Sequence, residues 1–125
     1  MLDLPLSNDK LRDIICYTLG EDLKQEAWDQ LMNQGPLNVD FHYIIYHAPD
    51  PWKQKAWDQL MKQGPSNLDL CCIICYAPEK WKQKAWDQLI KQGPSNGELR
   101  YIIRNAPEEW ANKARAILRE RGVNI

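Results

Sequence analysis

The chain has 125 residues, of which 44% are hydrophobic and 26% charged, and its formal net charge is −1. This balance is typical of a globular protein and provides no general electrostatic attraction for nucleic acid or anionic lipid. No apolar run reaches the ~20 residues that a membrane-spanning helix requires, so neither a membrane nor nucleic acid is expected as a partner.

The first ten residues, MLDLPLSNDK, contain no basic segment followed by an apolar one. A secretory signal peptide has that order of segments, so none is predicted here. We therefore expect a cytoplasmic location, in which the four cysteines would be free thiols or ligands rather than disulfides.

A repeated segment organises the whole chain. The sequence AWDQL begins at Ala27, Ala56 and Ala85, a spacing of 29 residues, and the related ARAIL follows one period later at Ala114. Four copies at a fixed period predict stacked structural repeats. We place all of them in a single domain covering residues 1–125. The predicted repeats span residues 6–34, 36–63, 65–92 and 94–121.

Each copy predicts two helices. Ser66 and Ser95 stand three residues before an acidic residue, which is the spacing of an N-terminal capping box, and each begins a short first helix, called helix A. Pro49, Pro78 and Pro107 end helix A, and a longer second helix, helix B, follows until a Gly-Pro pair stops it. The predicted fold class is all-α, an α-solenoid of four antiparallel helix pairs with about eight helices.

Helical periodicity assigns a core stripe to helix A. In the third copy Leu70, Ile73, Ile74 and Ala77 fall within an arc of roughly 100° at 100° per residue. These side chains are predicted to pack against helix B of the same repeat.

Helix B has a broader apolar face, and Trp57 on it is predicted to pack on the following repeat. Trp57→Ala should then cost about 3–5 kcal/mol. In the fourth copy the positions of Trp57 and Met61 are taken by Arg115 and Arg119. Charged residues there are typical of a C-terminal capping repeat with a polar outer surface. The opposite end is predicted to be covered by Leu2, Leu4 and Leu6.

The rest of helix A forms a variable face that is predicted to point outward. It contains all four cysteines, both histidines and all five tyrosines of the chain. Equivalent helices of a solenoid line up side by side and commonly form its binding surface. We predict partner binding by Arg12, Cys16, Tyr17, His42, Tyr43, Tyr46, His47, Cys71, Cys72, Cys75, Tyr76, Arg100, Tyr101 and Arg104.

The composition of this face favours a protein or peptide partner. Tyrosine and arginine are over-represented at interface hot spots because they combine contact area with hydrogen bonding. Self-association through the same face is a further expectation, because exposed apolar patches usually mark interfaces. The alternative is that these aromatic side chains only fill the space between adjacent A helices.

A metal- or redox-linked role is a second alternative for the same face. Cys71 and Cys75 are one helical turn apart, and His42 holds the position of Cys71 in the preceding copy. A closed structural zinc site needs four ligands, and these three do not complete one. No metal or other cofactor is therefore predicted, and the cysteines are expected to act as small hydrophobic residues.

An enzyme is not predicted from this sequence. A pair such as Cys75 with His42 could form an activated nucleophile, but no third orienting residue or glycine-rich phosphate loop accompanies it. Arg100 and Arg104 form only a small basic patch, which does not indicate a groove for nucleic acid. No catalytic residue is assigned.

The segment PSNGELRYIIRNAPEEW resembles the HEAT-like repeats of bacterial proteins. It has an acid-Leu-Arg start, an apolar pair and then a second helix, and the resemblance extends from Leu6 over nearly the whole chain. HEAT-like families imply protein scaffolding most often, although some members handle damaged DNA or attach chromophores. No residue here matches the residues that either of those two activities would require, and fold alone does not decide function.

Overall fold

Residues 5–124 are described in a computed structural model, and every regular element among them is an α-helix. The all-α class predicted from the repeats is confirmed, and consecutive helices pack closely in pairs as helical hairpins. Leu2 and Leu4, predicted to cover one end, lie outside the described residues. The helices are α1 (Asn8–Tyr17), α2 (Glu21–Gln34), α3 (Asn38–His47), α4 (Asp50–Gln63), α5 (Asn67–Tyr76), α6 (Glu79–Gln92), α7 (Asn96–Asn105) and α8 (Glu108–Glu120).

Side-chain caps begin the A helices where the sequence predicts them. The Ser66 hydroxyl accepts a hydrogen bond from the Asp69 N–H at 3.1 Å, and Asp69 Oδ2 accepts one from the Ser66 N–H at 2.8 Å. Ser95 and Glu98 form the same reciprocal pair at 3.1 and 2.8 Å. Each pair satisfies two N–H groups that the first turn of a helix leaves without an intrahelical partner.

Glycines end three of the B helices. Gly35, Gly64 and Gly93 adopt φ values of 79°, 84° and 81°. Residues with a side chain rarely adopt this left-handed region, so glycine at these positions ends helix B without strain. These glycines recur with the period of the sequence. Each of these B helices therefore ends because of a residue at its own end.

The chain divides into two compact units, residues 1–64 and 65–125, and each unit contains two repeats. In the first unit the rings of Trp28 and Trp52 lie 5.9 Å apart at an angle of 48°. In the second unit Trp86 and Trp110 repeat this geometry at 5.9 Å and 48°. The prediction that the tryptophan at the Trp57 position packs on the following repeat is thus confirmed for Trp28 and Trp86.

An indole hydrogen bond accompanies each of these ring pairs. Trp52 Nε1 donates to Glu21 Oε2 at 3.2 Å, and Trp110 Nε1 donates to Glu79 Oε1 at 3.1 Å. In each unit the acceptor is the first residue of the preceding B helix. The acid that favours the start of one B helix therefore also holds the tryptophan of the next one.

Lys24, Lys53 and Lys82 of the B helices are buried, and the last two bond to the end of helix A. Lys53 Nζ donates to the Ile45 carbonyl at 2.9 Å, and Lys82 Nζ donates to the Ile74 carbonyl at 2.8 Å. In an α-helix each carbonyl would accept from the N–H four residues later, but that residue is a proline in both repeats. The ammonium groups therefore satisfy the last turn of helix A where the backbone cannot.

No helix among residues 5–124 is both long enough and apolar enough to cross a lipid bilayer.

Candidate functional site

The predicted binding face divides into a buried flank and an exposed flank. The outward placement predicted for Cys16, His42, Cys71 and Cys75 is wrong, because these four side chains are buried. Helix A packs on two sides, since α3 lies along α1 and α7 lies along α5 in addition to the contact with helix B. Cys71 Sγ, fully buried, lies 3.9 Å from the Glu98 carbonyl of α7 and donates to it.

The exposed flank of the first unit contains a cluster of ring and carboxylate groups, here called tyrosine cluster 1 (Asp13, Tyr17, Tyr43 and His47). The Tyr43 hydroxyl lies 2.7 Å from Asp13 Oδ1 and 3.3 Å from the Tyr17 hydroxyl. The rings of Tyr17 and Tyr43 meet edge to face at 6.5 Å, and the His47 ring lies 4.6 Å from that of Tyr43. These contacts hold a ring surface in place while Tyr17 remains 59% exposed.

Arg12 and Tyr46 contact the rings of this cluster. The Arg12 guanidinium lies 4.6 Å from the centre of the Tyr43 ring and forms ion pairs with Asp9 at 2.7 Å and Asp40 at 3.1 Å. The half-buried Tyr46 ring lies 6.1 Å from the ring of His47. Arg12 is therefore used mainly inside the unit, unlike the outward role predicted for it.

Tyrosine cluster 2 (Cys72, Tyr76 and Tyr101) occupies the same repeat positions in the second unit. The Tyr101 hydroxyl hydrogen-bonds with Tyr76 and lies 3.9 Å from Cys72 Sγ. Cys72 corresponds to Asp13, Tyr76 to Tyr17 and Tyr101 to Tyr43. One arrangement of groups is thus built twice, once with a carboxylate and once with a thiol.

Hydrogen bonding makes Tyr43 and Tyr101, the central tyrosines of the two clusters, weaker acids than an ordinary tyrosine. The bonds with Tyr17 and Asp13 raise the pKa of Tyr43 well above its ordinary value. The bond with Tyr76, followed by burial, raises the pKa of Tyr101 in the same direction. Both phenols therefore stay neutral at physiological pH and act as hydrogen-bonding groups rather than as bases.

The arginines of α7 complete the exposed part of the predicted face. Arg100 and Arg104 are exposed, and within residues 5–124 neither forms an ion pair or hydrogen bond. Asn105, one residue further, donates from Nδ2 to the Tyr101 carbonyl at 2.9 Å. The two guanidinium groups remain available to carboxylates from outside the chain.

Burial lowers the reactivity of three of the four thiols, Cys16, Cys71 and Cys75, because it disfavours the thiolate. It raises the pKa of Cys71 to about 12, and it raises those of Cys16 and Cys75 to about 11. Nucleophilic attack and metal ligation both require the thiolate. In the part of the chain that the structure describes, no three His, Cys, Asp or Glu side chains are placed to hold a metal ion.

Thiol labelling measures this difference directly. At pH 8 the half-exposed Cys72 is expected to react with Ellman's reagent at least about a hundredfold faster than the other three cysteines, which must wait for local opening. Cys72→Ser should remove the fast phase, and denatured protein should show all four thiols reacting alike. A second thiol reacting at the rate of Cys72 would contradict the burial of the other three.

One exposed repeat position was not predicted from the sequence. Val39 and Leu68 are the second residues of α3 and α5, and they are 54% and 55% exposed. The same position contains Asp9 in the first copy and Gly97 in the fourth. This variation between copies was a signal that could have identified the position as surface, because a core position would have stayed apolar.

Among residues 5–124 no pocket is present. No protein-family model, curated protein or solved structure matches this chain. The resemblance to HEAT-like repeats stays a prediction from the sequence.

Proposed function

We propose that this protein is a non-enzymatic scaffold that binds a protein or peptide through tyrosine clusters 1 and 2. The supporting observation is that the same repeat positions present an ordered, exposed tyrosine in both units. Tyr17 is 59% exposed and Tyr76 is 56% exposed. A variable surface on a repeated framework is the usual binding device of helical-repeat proteins.

The geometry of the clusters suits protein recognition. A buried tyrosine ring contributes a large apolar area together with a hydroxyl that bonds at the rim of an interface. The ring contacts with Tyr43 and His47 restrict Tyr17 before any partner arrives. Because less side-chain freedom is lost on binding, an ordered ring gives more affinity than a mobile one.

The thiols favour a binding role over catalysis. Three of the four cysteines are buried with raised pKa values, which keeps them in the unreactive thiol form. Cys72 instead takes the place of Asp13 as a neighbour of the central tyrosine hydroxyl. The scaffolding role that HEAT-like repeats imply agrees with this proposal.

The test is a comparison of three baits in affinity purification with quantitative mass spectrometry. The double variant Tyr17→Ala/Tyr76→Ala is expected to bind a specific partner of the wild-type protein at least about tenfold more weakly, which corresponds to ~1.4 kcal/mol. The amount of that partner recovered with the variant should fall accordingly. The matched control is Lys62→Ala/Lys91→Ala, which changes two exposed residues of helix B and should retain the partner.

The double variant must also be shown to fold. Because both tyrosines are more than half exposed, its melting temperature is expected to stay close to that of the wild type. If the folded double variant retains every protein that the wild type retains, the tyrosine clusters do not form the binding surface.

A further inference from the structure

A polar contact joins the two A helices of the first unit. Asn8 Nδ2 donates to Asp40 Oδ2 at 3.1 Å, and Arg12 Nη1 donates to Asp40 Oδ1 at 3.1 Å. Asp40 is the third residue of α3 and also accepts the Leu37 N–H at 2.8 Å. One buried carboxylate therefore caps α3 and attaches it to α1.

The second unit keeps the asparagine contact, while Cys71 stands at the position of Arg12. Asn67 Nδ2 donates to Glu98 Oε1 at 3.0 Å, and Glu98 is the third residue of α7. In both units the asparagine is the first residue of helix A and is oriented by a glutamine from the end of helix B. Gln34 Nε2 donates to Asn8 Oδ1 at 2.9 Å, and Gln92 Nε2 donates to Asn67 Oδ1 at 2.9 Å.

Helix α7 has the same two donor side chains, an asparagine and an arginine, at the positions of Asn8 and Arg12. Asn96 is its first residue, and Arg121 Nη1 donates to Asn96 Oδ1 at 2.8 Å, as the glutamines do in the other repeats. With Oδ1 engaged in this way, the amide nitrogen is the group left to donate. Arg100 holds the position of Arg12, and Arg104 follows one turn later. Within residues 5–124, Asn96 Nδ2 and both guanidinium groups have no carboxylate partner.

We propose that Asn96, Arg100 and Arg104, here called the α7 flank, bind the first turn of a helix from another protein whose third residue is Asp or Glu. The carboxylate would be held between the Asn96 amide and the Arg100 guanidinium, as Asp40 is held by Asn8 and Arg12. A guanidinium group without an ion pair, beside an amide that can donate, favours a carboxylate as the group that it binds. This goes beyond the proposed function, because it uses residues that are not members of tyrosine cluster 1 or 2.

Charge excludes a second copy of this chain as the partner. The third residue of its own first helix is Lys10, which stands where α3 and α7 have Asp40 and Glu98. Stacking a second copy on the α7 flank would place this ammonium against Arg100. Like charges in close contact oppose association and suppress the wrong partner.

Helix α8 limits the partner to the α7 side. Arg115 holds the position at which Trp28 and Trp86 pack on the next repeat. Its Nη1 donates to Glu108 at 2.8 Å and to Asn112 at 2.7 Å. The apolar contact that would hold a second helix is therefore replaced by an internally satisfied charge, so a single helix suffices as the ligand.

The probe is a fluorescein-labelled, hydrocarbon-stapled peptide with the sequence of residues 94–106, which contains the Ser95–Glu98 capping box. Its binding to the full chain is measured by fluorescence anisotropy. A control peptide with Glu98→Lys reproduces the charge of Lys10. We expect the glutamate peptide to bind at least about tenfold more tightly than the lysine peptide.

Variants of the full chain locate the binding. Arg100→Glu is expected to weaken binding of the glutamate peptide at least about tenfold, because the peptide carboxylate would then meet a negative charge instead of a positive one. The matched control, Arg119→Glu, makes the same charge change at an exposed arginine of α8 and should change affinity less than about twofold. Equal losses in both variants would indicate general charge attraction and overturn the proposal, as would equal binding of the two peptides or binding of neither.

A further variant separates this proposal from the proposed function. Tyr17→Ala/Tyr76→Ala leaves the α7 flank unchanged, so it should bind the glutamate peptide as the wild type does. Loss of the peptide in this variant, with Arg100→Glu still binding, would assign the peptide to the tyrosine clusters and overturn the α7 flank as its site.

Discussion

Trp110→Ala is expected to lower the free energy of unfolding by about 3–5 kcal/mol. The side chain is 1% exposed, its ring lies 5.9 Å from that of Trp86, and its Nε1 donates to Glu79 at 3.1 Å. The substitution leaves a large cavity at the contact between two repeats and removes the partner of the Glu79 carboxylate. Chemical denaturation followed by circular dichroism measures the loss.

A double-mutant cycle tests whether the contact between the repeats causes this loss. Trp86→Ala, Trp110→Ala and the double variant are compared, and a coupling of about 0.5–1.5 kcal/mol is expected for an aromatic pair. Tyr76→Ala is the control, because this exposed ring should change stability little. A loss under about 1 kcal/mol for Trp110→Ala would show that the tryptophan contact does not hold the repeats together.

Lys82→Met is expected to cost about 1–3 kcal/mol at neutral pH. Lys82 Nζ donates to the Ile74 carbonyl at 2.8 Å, and that carbonyl would otherwise face the nitrogen of Pro78, which has no hydrogen. Methionine keeps most of the apolar stem, so the loss reports mainly the carbonyl left without a donor. The matched control, Lys91→Met, changes an exposed lysine of the same helix and should cost less than about 0.5 kcal/mol.

The pH dependence of the same variant has a definite sign. Burial lowers the pKa of Lys82 below its ordinary value of 10.5. Between that lowered pKa and 10.5 the unfolded chain binds the proton more tightly, so Lys82 alone makes stability rise with pH. Below the lowered pKa both states are charged, and this contribution is constant.

The buried thiols act in the opposite direction and must be separated from the lysine. Their pKa values are raised from 9.0 to about 11 for Cys16 and Cys75 and to about 12 for Cys71. Their contribution to stability is complete below pH 9 and is lost as the pH rises through the raised values. The effects of Cys16 and Cys71 cancel in the stability of wild type minus Lys82→Met, because both proteins contain these thiols. Lys82 also lowers the pKa of Cys75, so both proteins are compared in a Cys75→Ser background. That difference should rise as the pH approaches 10.5, and a flat or falling difference would contradict the lowered pKa of Lys82.

Local chemistry in the sequence determined the repeat unit. The serine caps at Ser66 and Ser95, the prolines after helix A and the left-handed glycine at Gly64 act within a few residues of themselves. Their effect does not depend on what packs nearby, so the pattern alone predicted the helix pairs correctly. The core stripe of helix A followed as well, because Ile73 and Ile74 are apolar in a repeated helical pattern.

The candidate site was predicted only in part. Tyr17 and Tyr76 are exposed as expected, whereas Cys71 is fully buried although Cys72 beside it is half exposed. Both cysteines lie outside the core stripe of α5, and periodicity within one helix cannot distinguish two flanks of that helix. Which flank is covered depends on α7, whose Glu98 carbonyl meets Cys71 Sγ.

The sequence by itself determined the four copies, the two helices in each and the variable positions between them, because these depend on interactions between near neighbours in the chain. Only the tertiary structure decided which variable positions remain exposed and which polar groups are buried. Lys82 and Lys91 are the same residue type on the same helix, yet Lys82 is buried against the end of α5 and Lys91 is exposed. The physical reason is that burial and hydrogen-bond partners are set by helices packed alongside, and a pattern within one helix contains no record of them.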